Sequence, residues 1–286
     1  ALSKQLIPIY DKPMIYYPLS NLINIGIKDI LIITKPEDLQ SYKKLFFNSK
    51  DYGINISLTS QNKPNGIAES FLIAKKTIKD SAVCLILGDN IFYGKKLLKT
   101  LNQAKHKTLK NNTAQIFANF VNNPERYGVV EFSKNMKIAK LIEKPKKTKS
   151  KYAISGIYFF PNDVSKKASF LKPSKRNELE IVDLHKLYLK EDRLEINIFQ
   201  KNIKWFDTGT FESLNEASVF VKKTEIKNNI KIGSIELDCL NNKLITKKKL
   251  MNIIKQNSGN QYFLNIVSIK KNKIDFKENH FKNIHL

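Results

Sequence analysis

Two rhythms of hydrophobic residues alternate along the first two hundred positions. Short apolar runs predict buried strands at residues 29–34 and 82–87, and alternation predicts one at 54–59. Further strand patterns occupy 115–121, 128–132, 138–142, 152–160 and 194–199. Helical patterns lie between them: from Pro13 to a stop at Gly26, then 37–48, 67–79, 95–109, 178–190 and 211–227. Pro13 suits the first turn of its helix, and Glu178 and Glu180 suit the positive end of theirs. After Asn228 the pattern weakens, leaving a lysine-rich helix around 246–255. Strands alternating with helices argue an α/β sheet covered on both faces.

The junctions carry the polar chemistry. The run Leu85-Ile86-Leu87 ends in Gly88-Asp89-Asn90, so an acid sits at the carboxyl end of a strand. Ligands of open α/β sheets bind there, and a carboxylate there can hold a hard cation that bridges phosphates. The same acid could serve as a turn or helix cap, and the hexapeptide alone leaves both open. Trp205-Phe206-Asp207-Thr208-Gly209-Thr210 repeats the situation before a helix. Residues 61–66 form a turn-rich loop that presents backbone amides at a helix start. Gly156 interrupts the strand at 152–160, which marks the close approach of a ligand or another backbone.

Composition narrows the class. The 286 residues are 42% hydrophobic and 10% aromatic, enough for a substantial core. No apolar run is long enough to span a bilayer and no signal peptide is visible, so the expectation is a cytoplasmic protein without a membrane partner. Cys84 and Cys239 make no disulfide framework and have no metal spacing. The formal charge is +24, from 50 Lys+Arg against 26 Asp+Glu. The lysines are scattered in pairs and triples rather than set in a stripe with aromatics. The expectation is therefore a compositional bias and no nucleic-acid partner, although such a surface attracts anionic nucleotides. The four histidines, His106, His185, His280 and His285, read as surface residues.

The motifs together resemble a known family. Ser3-Lys4-Gln5-Leu6-Ile7-Pro8 through Pro18-Leu19 is similar to a signature of glucose-1-phosphate thymidylyltransferases. So are the segments 88–94, 124–132, 143–145, 178–181 and 205–210, in the same order, with a faint echo at 259–262. The resemblance implies a Rossmann-like doubly wound mixed sheet of the nucleotidyltransferase type with a small helical C-terminal part. It implies a catalytic domain at 1–228, a helical segment of the same family at 229–264 and a basic tail at 265–286. It also implies that dTTP and glucose 1-phosphate give dTDP-glucose and pyrophosphate with Mg²⁺, in dTDP-rhamnose and deoxysugar biosynthesis.

Carried over position by position, the resemblance makes Asp89 and Asp207 the two metal-holding carboxylates. Lys4 and Lys144 become the phosphate-contacting lysines, and Gln61 and Gly66 read the thymine edge beside Asp89. Tyr127, Gly128, Glu143 and Tyr158 become the sugar pocket. A sugar-phosphate oxygen attacks the α-phosphorus in line and pyrophosphate leaves, so no covalent enzyme intermediate is required. A homo-oligomer, commonly a tetramer with dTDP-rhamnose feedback, follows from the same resemblance.

Several features depart from that pattern. The family opens with a strand and a Gly-Gly-x-Gly-Thr-Arg-Leu loop roughly 10 residues before the position of Lys4. Neither stands in this sequence, so the expectation is a fragment, lacking its first strand and glycine-rich loop, that binds nucleotide poorly and turns over slowly or not at all. A non-catalytic nucleotide-sugar-binding relative is the alternative. Ile142, Asn177 and Asn65 also differ from the usual residues, which keeps a uridylyltransferase specificity open. Residues 274–286 faintly resemble the opening of a dTDP-4-dehydrorhamnose 3,5-epimerase, as the start of a fused partner.

Overall fold

The computed structural model describes residues 3–257 and 259–267. In chain order, the hairpin β1 (Pro8–Ile9) and β2 (Lys12–Pro13) precedes α1 (Tyr16–Asn24), β3 (Asp29–Thr34), α2 (Leu39–Leu45) and β4 (Asn55–Ser60). Then come α3 (Ser70–Ile73), α4 (Lys75–Ile78), β5 (Val83–Ile86), β6 (Ile91–Tyr93), α5 (Leu97–Asn111) and β7 (Ala114–Phe120). They are followed by β8 (Gly128–Phe132), β9 (Ile138–Glu143), β10 (Tyr152–Phe160), α6 (Val164–Ala168), α7 (Ile181–Lys190), β11 (Leu194–Ile198) and β12 (Lys204–Phe206). The chain closes with α8 (Phe211–Asn228), α9 (Ile235–Asn241), α10 (Lys247–Gln256) and α11 (Gln261–Val267). The tail beyond 267, with its epimerase-like stretch, His280 and His285, lies outside the described residues.

The described residues divide into two compact units, one drawn from 3–30, 46–56 and 208–267 and the other from 31–45 and 57–207. In the first unit, Pro8 pairs with Pro13 and Ile9 with Lys12. The expected helical start at Pro13 is therefore wrong. Met14 N donates to Ile7 O (3.0 Å), which closes a hairpin, and neither proline has an amide for that ladder to leave unpaired. Helix α1 begins at Tyr16 and buries Tyr17, Leu19, Leu22 and Ile23. Lys12 is almost fully buried, with Nζ 3.2 Å from Glu225 Oε1 and a further ion pair to Asp11. Lys231 also pairs with both acids. Removing one member of such a buried network would strand the others, a larger cost than the network's net worth. Helix α8 opens with a capping box in which Thr210 Oγ1 accepts from Ser213 N (3.2 Å). The helical C-terminal part is present as α9, α10 and α11. The sequence pattern shows only α10, because α9 and α11 are seven residues each, too short to display a period.

The second unit is built on a six-stranded mixed sheet, ordered β11-β7-β10-β8-β9 with β5 also on β10. Strand β10 is central and runs antiparallel to β5, β7 and β8, while β11 is parallel to β7. Its register against β7 shifts between Ile154 and Tyr158, around Gly156. One half of β10 pairs with β8 and the other with β5, so the strand changes neighbours at the bulge. The core gathers Phe71, Ile116, Val130, Ile154, Phe160 and Leu184.

Three further expectations change. Strand β5 is half-buried throughout rather than buried, since among the described residues it pairs only with β10. The helix expected at 67–79 breaks into a 3-10 turn, α3 and α4, because Thr77 N reaches back three residues to Ala74 O (2.8 Å). Helix α7 starts at Ile181 rather than 178. Leu179 N donates to Asn65 O (2.6 Å) and Leu179 O accepts from Ala68 N (3.1 Å), which holds that segment extended.

Candidate functional site

Asp89 sits in the turn after β5. Leu87 N donates to Gly156 O (2.9 Å) and Asn90 N to Leu87 O (3.1 Å), so the turn is clamped to the bulge of β10. Asn90 is buried and organises the place. Its Nδ2 donates to Asp89 Oδ1 (2.9 Å), and its Oδ1 accepts from Gly156 N (3.2 Å) and Trp205 Nε1 (2.6 Å). A Cβ on Gly156 would lie 2.7 Å from Asn90 Oδ1. The close approach expected at this mid-strand glycine is thus made by the asparagine beside the acid.

Asp207 follows β12, which pairs antiparallel with β6 and sets Phe206 opposite Ile91. The ladder ends at that pair, and Asp207 and Asn90 are the next residues beyond it on the two strands. The cap of α8 is Thr210, so Asp207 is not spent as a helix cap. Its Oδ2 accepts from Tyr127 Oη (2.7 Å) and Arg126 Nη2 (2.9 Å). The Tyr127 ring leans on Trp205, with centroids 5.1 Å apart. Burial, then the bond to Asp207, pushes the Tyr127 phenol up.

Glu143 ends β9 and faces Gly128 across the β8 ladder. The next residue, Lys144, has φ 39° and donates its amide to Tyr127 O (3.0 Å), which bends the chain sharply after the acid. Burial pushes the Glu143 carboxyl up to about 7; Glu180 adds to this, and Lys144 and Arg176 oppose it. Arg176 Nη1 lies 3.6 Å from Glu143 Oε1 and 3.5 Å from Glu180 Oε1. Tyr158 is buried on β10, and its phenol is raised by burial and by the charges of Glu143 and Asp89.

The loop at 61–69 forms a second cluster. Gln61 Nε2 donates to Glu69 and to Gly66 O (3.3 Å), and Asn65 Nδ2 donates to Glu69 Oε1 (2.8 Å). Because a carboxylate only accepts, Glu69 fixes which end of the Gln61 amide faces it. Gly66 has φ 101°, and a Cβ there would lie 2.4 Å from Leu179 O. Only glycine fits that close approach.

Of the residues singled out from sequence, nine stand in the second unit. The structure brings Tyr127 to Asp207, Gly128 to Glu143 and Gln61 to Gly66, and sets Tyr158 opposite Leu85 and Ile116 in the sheet. Lys4 stands in the first unit, in a 3-10 turn over Lys4–Leu6. Sequence reasoning missed Glu69, Arg126 and Arg176 as partners of these residues; the four-residue spacing of Asn65 and Glu69 was the available signal for the first. It also misread His185, which is fully buried rather than on the surface. Its spacing from Ile181 and Tyr188 puts it on the inner face of α7, stacked on Phe160 at 5.7 Å. Neither ring nitrogen has a hydrogen-bond partner, and burial pushes its pKa down to about 3. His106 is exposed as expected.

Among the described residues, no group of three or more His, Cys, Asp or Glu is arranged to hold a metal. Asp89, in the turn between β5 and β6, and Asp207, just past β12, which pairs with β6, are of the donor type that suits Mg²⁺, which commonly takes one or two carboxylates and completes its shell with water and phosphate oxygens. No helix among the described residues is long and apolar enough to cross a membrane.

The nucleotidyl transferase family model matches residues 1–224. A glucose-1-phosphate thymidylyltransferase of Neisseria meningitidis is 46% identical over 262 residues, which is 92% of this chain and 90% of that protein. One from Mycolicibacterium smegmatis is 45% identical over 236 residues, 82% of this chain and 81% of that protein. The solved structure of a Bacillus anthracis protein named as the same enzyme, in complex with sucrose, is similar with a TM-score of 0.69 at 33% identity. It covers 77% of this chain and 86% of that one.

Proposed function

This chain belongs to the nucleotidyl transferase family, and from that premise we propose that it transfers a thymidylyl group from dTTP to glucose 1-phosphate, giving dTDP-glucose and pyrophosphate. The observation that carries the reading is a run of contacts within one unit, from Asp89 through Asn90 and Trp205 to Tyr127 and Asp207, with Gly128, next to Tyr127, facing Glu143. It is supported by the names of relatives that are more than 40% identical over most of the chain.

In this reading, Glu143 accepts from sugar hydroxyls, and Gly128, which has no room for a Cβ beside Val182 and Glu143, keeps that carboxyl uncovered. Tyr158 closes the wall behind the sugar ring. Lys4 and Lys144 neutralise phosphate charge as compact cations. The Gln61 amide, fixed by Glu69, turns its oxygen outward to accept the imide N–H of thymine, and Gly66 lets the loop carry that amide against the Leu179 segment. Asp89 and Asp207 would hold Mg²⁺, which when bound polarises the phosphate and offsets its charge. With groups so placed, the protein contributes position and charge neutralisation and needs no nucleophile of its own.

The catalytic part is read as residues 1–228, with 229–264 as its helical continuation. A cytoplasmic homo-oligomer without nucleic-acid partners fits the reading, and the +24 charge then serves to attract anionic substrates. The test is pyrophosphate release from dTTP plus glucose 1-phosphate with Mg²⁺, with the nucleotide sugar identified by mass and UTP run in parallel. Formation of dTDP-glucose, faster than UDP-glucose, supports the reading. Folded protein that releases no pyrophosphate from either nucleotide, even when a family-like strand and glycine-rich loop are placed before Ala1, overturns it.

A further inference from the structure

Arg126 and Tyr127 are neighbours at the tip before β8, and both donate to the same oxygen, Asp207 Oδ2, at 2.9 and 2.7 Å. The Arg126 guanidinium also lies over the Tyr127 ring, 5.5 Å from its centroid. The two ends of the ion pair differ in their surroundings. The Asp207 side chain is 16% exposed and the Arg126 side chain 39%. A carboxylate so far from water needs a compensating cation or strong donors, whereas the arginine can return to solvent at little cost.

We propose that Arg126 is a stand-in cation: it holds the Asp207 carboxylate when no divalent metal is bound and yields it when one arrives. The proposal rests on the reading of Asp207 as a metal-holding acid. A metal ion and a guanidinium cannot occupy the same lone-pair region of Oδ2, so the two compete for it. The exchange conserves the site's compensation, because one cation replaces another beside a carboxylate that is never left bare. It also has a consequence for Tyr127. Its phenol shares Oδ2 with Arg126, and metal binding there frees the hydroxyl to turn toward an incoming sugar. The state of the metal-holding acid is thereby linked to a residue of the sugar pocket through two adjacent side chains on one short turn.

The test is a Mn²⁺ titration of the whole chain without nucleotide, following loss of the free-ion electron paramagnetic resonance signal. Arg126→Gln removes the competitor and is expected to tighten Mn²⁺ binding by about fivefold, the effect of roughly 1 kcal/mol of exposed ion pair. Arg126→Lys, which keeps the charge, is expected to stay within about twofold of the parent. Asp207→Asn is expected to abolish the site. Equal or weaker Mn²⁺ binding by Arg126→Gln, with binding still dependent on Asp207, overturns the stand-in role and leaves the functional reading intact. Mn²⁺ binding unaffected by Asp207→Asn overturns both the stand-in role and the reading of Asp207 as a metal-holding acid. A second measurement needs no folded variant of low charge: the Arg126 side-chain Nε–H resonance, assigned by its loss in Arg126→Lys, must move as Mg²⁺ is added to the parent chain. A resonance that stays still at saturating Mg²⁺ overturns the proposal.

Discussion

Glu143 and Gly128 face each other so closely that a Cβ on the glycine would come within 3.3 Å of Glu143 Oε2. It would also lie 2.7 Å from Val182 Cγ2, so no space for a larger residue exists on either side. The glycine keeps a raised, half-buried carboxyl open to whatever enters. Gly128→Ala is expected to raise the KM for glucose 1-phosphate several-fold and to lower the melting temperature by a few degrees, from roughly 1 kcal/mol of overpacking. Steady-state kinetics and thermal melting check both.

Glu143 also sets a pH dependence. Its folded pKa, about 7, lies above the ordinary 4.5, so between these values the folded state holds a proton that the unfolded state has lost. Stability therefore falls as pH rises from 4.5 through 7, and above 7 the full cost is present. Glu143→Gln removes that slope. At pH 8 the variant is expected to be more stable by about 2 kcal/mol, yet to bind glucose 1-phosphate worse. Denaturant unfolding at pH 5 and pH 8 measures the slope, and equal slopes in parent and variant would contradict the burial of this acid.

The buried Asn90 joins Asp89, Gly156 and Trp205. Asn90→Ala leaves the Gly156 amide and the Trp205 indole N–H without their acceptor. The expected cost is about 3 kcal/mol, together with loss of metal-dependent activity as Asp89 loses its anchor. Unfolding midpoints and activity, measured on the same preparation, test the two effects together.

Gly66 tests the loop. Its φ of 101° and the 2.4 Å that a Cβ would leave to Leu179 O rule out any side chain without moving backbone. Gly66→Ala is expected to detach the loop from the Leu179 segment and raise the KM for dTTP at least about tenfold, while the KM for glucose 1-phosphate changes little. An unchanged KM for dTTP would separate this loop from nucleotide binding.

His185 predicts behaviour in acid. Its folded pKa of about 3 lies below the ordinary 6.5, so the unfolded state takes up the proton first and stability falls as pH drops through that window. The loss reaches about 2 kcal/mol by pH 5. His185→Leu, which buries no polar nitrogen, is expected to flatten the acid limb of the stability profile. A variant with the same limb would show that the ring is not buried neutral.

Much of this was legible in the sequence because short-range pattern decides it. The strands 29–34, 128–132 and 152–160 fall where their apolar runs place them. The acids at 89 and 207 were visible as polar residues ending apolar runs. What was hidden depends on partners far along the chain. Leu179 is pulled out of α7 by Asn65 and Ala68, more than a hundred residues earlier. Pro13 reads as a helix start until Pro8 is seen opposite it. His185 reads as a polar surface residue until the buried face of α7 is drawn through Ile181 and Tyr188. Arg126 lies in a segment the motifs mark, but its partner is hidden, because it is Asp207, 81 residues later.

The most direct measurement is dTDP-glucose formation by the parent, Asp89→Asn and Asp207→Asn at saturating Mg²⁺, each carrying a family-like strand and glycine-rich loop before Ala1 and each shown to be folded by its melting curve. The proposed roles predict product from the parent and a loss of at least about a hundredfold in each variant, since each would remove a carboxylate proposed to hold the counter-ion of the transferring phosphate. A folded Asp207→Asn protein that turns over like the parent would contradict them.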